Sequence, residues 1–239
     1  MLFLDFDGTL APIVDFPNDA QLPESTRAVL RAMTESPAFL VSLISGRSIV
    51  DLRRRAGLNA AVYGGNHGLE IHGADIEFEE PDAAAKRPAL RALVGALRAK
   101  LFVLDGVQIE NKKLTASVHF RRAPEAREKV FSALQELVDQ SLFRVREGKM
   151  VAEILPRTGA NKGTAVRHIR SLREVEGDLA ICAGDDTTDE DLFAAAGDGL
   201  TIRVGNTADT AAEYFVDDTA GIRDFLIWLA EIKDREHGW

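Results

Sequence analysis

The chain has 239 residues, of which 46% are hydrophobic and 28% charged, as is typical of a globular protein that can bury a sizeable core. Its net charge of −9 and isoelectric point of about 5.1 argue against a general nucleic-acid-binding or membrane-surface protein. The single cysteine, Cys182, rules out an intrachain disulfide. The sequence also has no signal-like start and no long apolar run. Together with the single cysteine, these features lead us to expect a cytoplasmic protein.

The first element is a short apolar run, residues 2–4, which leads through Asp5 and Asp7 into a Gly8-Thr9 turn. A continuous apolar run is typical of a buried parallel strand, and open α/β sheets place ligand sites at the carboxyl ends of such strands. Two carboxylates at that point suit a hard cation such as Mg²⁺. A carboxylate can also act as a covalent nucleophile. The simpler alternative is an Asp-Gly turn that ends a strand.

The elements that follow alternate between helix and strand. We predict a helix over residues 21–34, a strand over 38–44 that leads into Ser45, a helix over 48–56, and a strand over 60–63 followed by a glycine-rich segment over 64–68. This alternation favours a parallel, doubly wound sheet. We interpret the three arginines at 53–55 as a solvent-exposed face of the second helix.

The middle of the chain has a different order of predicted helices and strands. Residues 70–80 predict a hairpin, and the polar segment 79–82 marks a boundary. Beyond it we predict a helix over 87–102, a hairpin of strands 106–111 and 114–120, a helix that begins near Pro124, and a hairpin of strands 143–146 and 150–155 about residues 147–149. The order α-β-β-α-β-β describes an α+β unit inserted into the α/β pattern. We therefore expect a core segment at 1–82, an inserted domain at 83–156 and a second core segment at 157–239.

The alternation of helix and strand resumes after residue 160. We predict a helix over 162–172, a strand over 179–183, a helix over 190–195, a strand over 200–204 and a last helix over 222–232. The strand over 179–183 leads into an acidic segment, residues 184–191. Like charges at this density repel one another unless a cation or a helix N-terminus offsets them.

Two groups in this last third could complete a site with the first carboxylates. Asp185 follows a buried strand, so we expect it to meet a metal ion held by Asp5 and Asp7. Lys162, at a helix start, would add a fixed cation. The simpler interpretations are an acidic helix start on the surface and an ordinary exposed lysine.

Four segments resemble, in order and spacing, the four motifs of the haloacid dehalogenase (HAD) superfamily of phosphohydrolases. They are residues 5–9, Ser45, Lys162 and residues 185–189. The short spacing between the first two leaves no room for a folded cap there. The long segment between Ser45 and Lys162 fits a cap of the C2 type. The resemblance therefore implies a HAD-like doubly wound core with an inserted αββαββ cap.

Within this class the chain is similar to the trehalose-6-phosphate phosphatase family. The similarity lies in residues 5–13, 45–47, 65–68 and 184–191, and in the cap residues Glu110–Lys112, His119–Arg121 and Glu153. It implies a Mg²⁺-dependent monomeric enzyme that hydrolyses a small disaccharide phosphate, trehalose 6-phosphate, through an aspartyl-phosphate. A sucrose-phosphate or mannosyl-phosphoglycerate phosphatase, or a non-catalytic regulatory module, is the alternative.

The resemblance also implies roles for individual residues. The catalytic residues would be Asp5 as nucleophile, Asp7 as general acid and base, Ser45 and Lys162. The metal would be held or its waters oriented by Asp5, Asp7, Asp185, Asp186 and Asp189. The substrate would be contacted by Thr9, Gly46, Arg47, Asn66, His67, Glu110, Lys112, His119, Arg121 and Glu153.

The first hairpin of the cap supports a polar ligand. Apolar and polar residues alternate along 107–110 and 114–121, so one face can pack on helices while the other stays polar. That polar face would carry Glu110, Thr115, Ser117, His119 and Arg121. Any sheet with one wet face alternates in this way. The mixture of single charges and small hydroxyls is nevertheless what recognition of a sugar requires.

Overall fold

The structure is a computed structural model that describes residues 1–14, 19–173, 178–205 and 209–236. The chain divides into two compact units. The first comprises Met1–Phe78 and Ala160–Trp239, and the second comprises Glu79–Gly159. Among the described residues, no helix combines the length and the apolar composition that crossing a lipid bilayer requires.

The strands, in chain order, are β1 (Leu2–Leu4), β2 (Val41–Ile44), β3 (Val62–Gly65), β4 (Glu70–Gly73), β5 (Ile76–Glu79), β6 (Gln108–Asn111), β7 (Ala116–His119), β8 (Phe143–Gly148), β9 (Val151–Pro156), β10 (Ile181–Gly184), β11 (Leu200–Val204) and β12 (Tyr214–Val216). The α-helices are α1 (Glu24–Glu35), α2 (Ile49–Ala56), α3 (Pro81–Ala85), α4 (Arg87–Leu101), α5 (Arg127–Leu137), α6 (Lys162–Arg173), α7 (Glu190–Ala195) and α8 (Thr219–Glu236). Short 3₁₀ helices cover Asn66–Gly68, Pro124–Ala126 and Thr187–Asp189.

The sheet of the first unit has the strand order β12-β11-β10-β1-β2-β3-β4-β5. The strands from β12 to β3 pair in parallel, and β4 pairs with β3 in the antiparallel sense. The predicted parallel, doubly wound sheet is confirmed. Strand β1 lies inside it, between β10 and β2, so its carboxyl end is flanked by the ends of two other parallel strands.

Both faces of this sheet are covered, which explains the unbroken apolar run of β1. Leu2 and Leu4 belong to one hydrophobic cluster, which α1 and α8 complete. Phe3 points to the other face and belongs to a second cluster, completed by α6 and α7. Cys182 is buried in that second cluster, and this burial raises the pKa of its thiol to about 12.

The second unit is an antiparallel sheet with two helices on one face. Its strand order is β6-β7-β9-β8, and every pairing is antiparallel. Helices α4 and α5 contribute apolar residues to one cluster with the buried side chains of β7 and β9. The predicted α+β unit is confirmed, and the opposite face of its sheet carries the polar residues.

The structure differs from the sequence prediction in several elements. Helix α3 begins within segment 79–82, for which the sequence predicts a boundary and no helix. Helix α1 begins at Glu24 rather than at residue 21, because Pro23 is extended with a ψ of 141° and disfavours helix in the residue before it. The second hairpin of the inserted unit turns later than predicted, because β8 continues to Gly148 and Met150 adopts a φ of 63°. Strand β12 was not predicted, since it is short and half exposed.

Candidate active site

The carboxyl ends of β1 and β10 bring two acidic residues together. Leu4 is in register with Ala183, and the backbone N–H of Asp5 donates to the carbonyl oxygen of Ala183 at 2.9 Å. Asp5 and Asp185 therefore follow neighbouring parallel strands. Thr9 joins them by donating from Oγ1 to Oδ1 of Asp185 at 3.3 Å.

Lys162, the first residue of α6, places a buried cation against this edge. Its Nζ donates to Oδ1 of Asp5 and to Oδ1 of Asp189, both at 2.6 Å. The three side chains are at most 6% exposed. A buried charge is tolerated when it is paired and hydrogen-bonded, and Lys162 meets both conditions.

Asp189 also holds the acidic loop in shape. Its Oδ2 accepts from the backbone N–H groups of Asp185 and Asp186, at 3.1 and 3.0 Å. Asp186 instead turns its exposed carboxylate towards Thr187, whose N–H donates to it at 2.7 Å. The structure thus separates the two residues that the sequence proposed for orienting metal-bound water.

The geometry of the carboxylates fits a divalent cation. One carboxylate oxygen each from Asp5, Asp185 and Asp189 lies within 4.8 Å of the others. The chain also comes close enough here that a Cβ on Gly8 would overlap the carboxylate of Asp185, and Gly8 has a φ of +86°. All the donors are oxygen atoms, which hard cations prefer.

The pKa shifts of the cluster also indicate that it could bind a cation. Burial raises the pKa of Asp5 well above its ordinary value, and Asp189 and Asp185 raise it further while Lys162 opposes the change. Burial and Asp189 raise the pKa of Asp185 to about 6. Burial alone would lower the pKa of Lys162, but Asp189 and Asp5 outweigh it and raise this pKa. The cluster carries more negative than positive charge, so a bound cation would relieve the repulsion.

Asp7 is not part of this cluster and is paired with arginine. Arg47 donates from Nε to Oδ2 of Asp7 at 2.7 Å, and a second guanidinium nitrogen donates to Oδ1. The Asp7 side chain is 39% exposed. Asp7 therefore presents a carboxylate that is held on one side and open to solvent on the other.

The arginines of α2 correct one sequence prediction. Arg53 and Arg54 are exposed as expected, but Arg55 is 1% exposed and donates to Oδ2 of Asp51 at 2.7 Å. Burial alone would raise the pKa of Asp51, but hydrogen bonds from Arg55, Arg47 and Arg54 lower it to about 2. The predicted solvent-exposed face is therefore wrong for Arg55.

Ser45 and its neighbours form a second loop at the same edge of the sheet. Ser45 is buried directly after β2, and its Oγ accepts from the N–H of Arg47 at 3.2 Å. The His67 ring lies against Gly46, where a Cβ would come 2.5 Å from the imidazole. The Gly46 backbone and Ser45 thus lie where parallel strands end, and their contact with phosphate stays a prediction.

Asn66, in the segment after β3, is linked through Glu70 to the start of α2. Its side chain is fully buried and donates from Nδ2 to Oε1 of Glu70 at 2.7 Å. The same Glu70 oxygen accepts from the N–H of Ile49, at the start of α2, at 3.1 Å. Asn66 and His67 both have positive φ angles, 50° and 62°. Such a backbone conformation is costly for a residue other than glycine, and the contacts of Asn66 help to stabilise it.

In the second unit, four residues form one row across the sheet. Glu110 is in register with Ser117, Ser117 with Glu153, and Glu153 with Arg146. Within this row Arg146 donates from Nε to Glu153 at 3.0 Å. We call these four residues the polar row. It combines two acids, one base and one hydroxyl on the face opposite the hydrophobic cluster.

The remaining predicted residues of this unit lie beside the polar row. His119 is diagonal to Glu110, with its Nε2 3.3 Å from Oε2 of that acid. Arg121 donates to the carbonyl oxygen of Lys149 at 3.4 Å. Lys112 lies at the hairpin and is half-buried, and its N–H donates to the carbonyl oxygen of Thr115.

Comparison with known proteins identifies the family. The profile of the family described as trehalose-phosphatase matches residues 3–220. The chain belongs to this family. Its members are phosphoric monoester hydrolases.

Individual relatives and solved structures agree with this assignment. The chain is 32% identical to trehalose-phosphate phosphatase B of Arabidopsis thaliana and 34% identical to the trehalose-phosphate phosphatase of Mycolicibacterium paratuberculosis. These alignments cover 100% and 99% of the chain, which spans 68% and 63% of the relatives' lengths. The crystal structure of a trehalose-6-phosphate phosphatase related protein superposes with a TM-score of 0.81 at 26% identity, covering 98% of this chain and 99% of that one. A haloacid dehalogenase-like hydrolase from Bacteroides thetaiotaomicron shares the fold, with a TM-score of 0.67 at 18% identity, covering 95% and 98%. The predicted HAD-like core with an inserted α+β unit is confirmed.

Sequence reasoning does not find three residues that contact the predicted site residues, two in the first unit and one in the second. Asp51 had no motif to mark it, yet it binds three arginines. Glu70 reads as an ordinary strand residue, and only the fold brings it to Asn66 and Ile49. Arg146 was treated as part of a strand, although its spacing opposite Glu153 in a hairpin could have indicated an ion pair.

Proposed function

We propose that this chain hydrolyses trehalose 6-phosphate to trehalose and phosphate and depends on Mg²⁺. The observation that carries the proposal is the buried contact of Lys162 with both Asp5 and Asp189 beside Asp185. A buried lysine and a group of carboxylates that could hold a cation thus surround one carboxylate at a strand end. This arrangement suits phosphoryl transfer, which depends on positioning and on stabilising negative charge.

Asp5, Asp185 and Asp189 would hold the metal, and Mg²⁺ is a hard cation that prefers an all-oxygen site of this kind. When bound, the metal supplies positive charge to the phosphoryl oxygens. The backbone carbonyl of Asp7 remains a proposed additional ligand. Asp186 remains a proposed contact to metal-bound water, since its exposed carboxylate lies at the start of the acidic loop.

The covalent chemistry is assigned to Asp5 and Asp7. A carboxylate oxygen of Asp5 forms a bond to phosphorus while the ester bond from phosphorus to the sugar oxygen breaks. Asp7 donates the proton that the departing sugar oxygen takes up. Asp7 then accepts a proton from the water molecule that attacks phosphorus, which breaks the bond to Asp5 and releases phosphate.

Other residues of the core are assigned to the phosphate group. Lys162 would contribute its charge to the phosphoryl oxygens, because it already lies 2.6 Å from the nucleophile. Thr9, Ser45 and the backbone N–H of Gly46 would donate hydrogen bonds. His67, which lies against Gly46, and Asn66, which supports the loop, are proposed to shape this side of the site.

The polar row and its neighbours are proposed to recognise the sugar. Glu110 and Glu153 offer carboxylate acceptors for sugar hydroxyls, and Lys112, His119 and Arg121 offer donors. Arg47 is proposed as a further substrate contact from the core. A site built to hydrogen-bond hydroxyls discriminates strongly, because a wrong ligand leaves its polar groups unpaired.

The proposal is tested by phosphate release from trehalose 6-phosphate, sucrose 6-phosphate and glucose 6-phosphate, each with Mg²⁺ and with a chelator. We expect Mg²⁺-dependent release with a clear preference for trehalose 6-phosphate. Preference for sucrose 6-phosphate would move the assignment to another disaccharide phosphate. No release from any substrate, with ligand binding retained, would indicate a regulatory module.

We also propose that the protein is a cytoplasmic monomer. The acidic net charge and the single buried thiol suit a soluble protein in a reducing compartment. Light scattering of the purified chain tests the oligomeric state. A mass twice that of the chain at micromolar concentration would contradict it.

A further inference from the structure

Asp51 lies at the far end of a chain of contacts that begins at Asp7. Two guanidinium nitrogens of Arg47 donate to the carboxylate of Asp7, and the third, Nη1, donates to Oδ2 of Asp51 at 2.7 Å. Arg47 therefore bridges two carboxylates. Its guanidinium carbon also lies 5.7 Å from the centre of the Phe6 ring, so the planar group rests on an aromatic face.

Asp51 is itself held firmly. Its Oδ2 also accepts from Nε of Arg55 at 2.7 Å, and its Oδ1 accepts from Arg54 at 2.6 Å. Arg55 is buried and donates from another nitrogen to the carbonyl oxygen of Ala20 at 2.8 Å. Asp51 thus connects Arg47 to the packed interior of the first unit rather than to a mobile surface group.

This arrangement fixes the plane of the Arg47 guanidinium. A long arginine side chain has several torsions and loses conformational entropy when it is ordered. If the Arg47 guanidinium were bound by Asp7 alone, the two side chains could move together. Because Asp51 binds the guanidinium as well, both side chains are restrained, and the Asp7 carboxylate has one defined position.

We propose that Asp51 is a positioning residue for proton transfer by Asp7 and that it acts through Arg47. This inference rests on the proposed function, in which Asp7 protonates the departing oxygen. A general acid must lie within hydrogen-bonding reach of the atom it protonates, so a small displacement weakens the transfer. The competing explanation is that Asp51 only stabilises α2, through its pairs with Arg54 and Arg55.

The two explanations differ in how activity depends on the leaving group. p-Nitrophenyl phosphate has a good leaving group that needs little protonation, whereas phenyl phosphate has a poorer one. The kcat/KM of each reports bond cleavage to the leaving group, up to the first irreversible step. In Asp51→Asn we expect kcat/KM for phenyl phosphate to fall by up to ~10²-fold, as for a catalytic group displaced by about an ångström. The loss for p-nitrophenyl phosphate should be several-fold smaller.

Two comparisons show whether the effect passes through Arg47. Arg54→Gln removes an exposed partner of Asp51 and should keep the wild-type ratio between the two substrates. Arg47→Lys keeps the charge but cannot bridge two carboxylates, so it should lower the activity with phenyl phosphate preferentially. The double variant Arg47→Lys with Asp51→Asn should lose no more than Arg47→Lys alone, because residues that act as one unit are not additive.

Each outcome decides the matter. Equal losses for both substrates in Asp51→Asn, or additive losses in the double variant, would show that Asp51 acts on stability alone. If Asp51→Asn does not fold, Arg47→Lys carries the test, and a wild-type ratio in that variant overturns the inference. A folded wild-type protein that cleaves no phosphate monoester with Mg²⁺ overturns the proposed function and this inference together.

Discussion

The Nζ of Lys162 lies 2.6 Å from Oδ1 of Asp5, and both side chains are buried. The same nitrogen lies 2.6 Å from Asp189, so one cation serves two carboxylates. These contacts join the first residue after β1 to the first residue of α6 and to the loop after β10. The charge of the candidate nucleophile, Asp5, is therefore balanced by a lysine that it shares with Asp189.

Removal of Lys162 should destabilise the metal-free protein. Lys162→Met leaves Asp5 and Asp189 buried without their cation, and loss of one partner of a buried pair costs roughly 3–5 kcal/mol. Urea unfolding in chelator measures this. The matched control is Lys100→Met, which removes the surface pair with Glu136 and should cost at most ~1 kcal/mol. Equal unfolding free energies for the two variants would contradict the account.

Metal should stabilise the fold as well as support activity. We expect a chelator to abolish phosphate release and Mg²⁺ to restore it. Ca²⁺ should inhibit, since it takes more ligands at longer distances. Because binding to the folded state raises stability, Mg²⁺ should also raise Tm, and Asp185→Asn should lose that rise. Full activity in excess chelator would exclude the metal site.

The pairing of Asp51 predicts how stability changes in acid. Its pKa is about 2 in the folded protein, against an ordinary value of 3.8. A lowered carboxyl pKa contributes stability above the ordinary value, and that contribution is lost as the pH falls towards 2. The difference in unfolding free energy between wild type and Asp51→Asn should be about 2 kcal/mol larger at pH 5 than near pH 1. A difference that does not change with pH would show that Arg47, Arg54 and Arg55 do not stabilise the charged form.

The acids of the polar row should affect the sugar substrate and spare a small one. Glu110→Ala and Glu153→Ala should lose most of kcat/KM for trehalose 6-phosphate, because the remote binding energy of the sugar also contributes to turnover. Both should hydrolyse p-nitrophenyl phosphate about as well as wild type. Glu147→Ala, an exposed acid on β8 that pairs with Arg127, is the matched control. Parallel losses on both substrates would assign the two acids to folding.

The sequence predicts the buried framework well. Strand β11 and helix α7 have the predicted limits, and apart from the unpredicted α3 and β12 the order of elements in both units is as expected. The reason is that β1 and its neighbours are covered on both faces, so each reads as an apolar run. Strand β12 carries no such signal, because Tyr214 and Phe215 are about half exposed.

The detailed contacts of the site could not be predicted in the same way. That Lys162 contacts Asp189, or that Arg55 is buried against Asp51, depends on which helices the fold brings together. Motif spacing places Asp5, Asp185 and Lys162 at the edge of one sheet. Motif spacing does not say that the Asp7 carboxylate pairs with Arg47.

The most direct test of the central claim is phosphate release from trehalose 6-phosphate by purified Asp5→Asn with saturating Mg²⁺. An amide cannot replace the carboxylate as nucleophile, so we expect a folded protein without measurable turnover. Asp198→Asn, an exposed acid before β11, should retain wild-type kcat. Near-normal phosphate release by Asp5→Asn would contradict the aspartyl-phosphate mechanism and the assignment of this site.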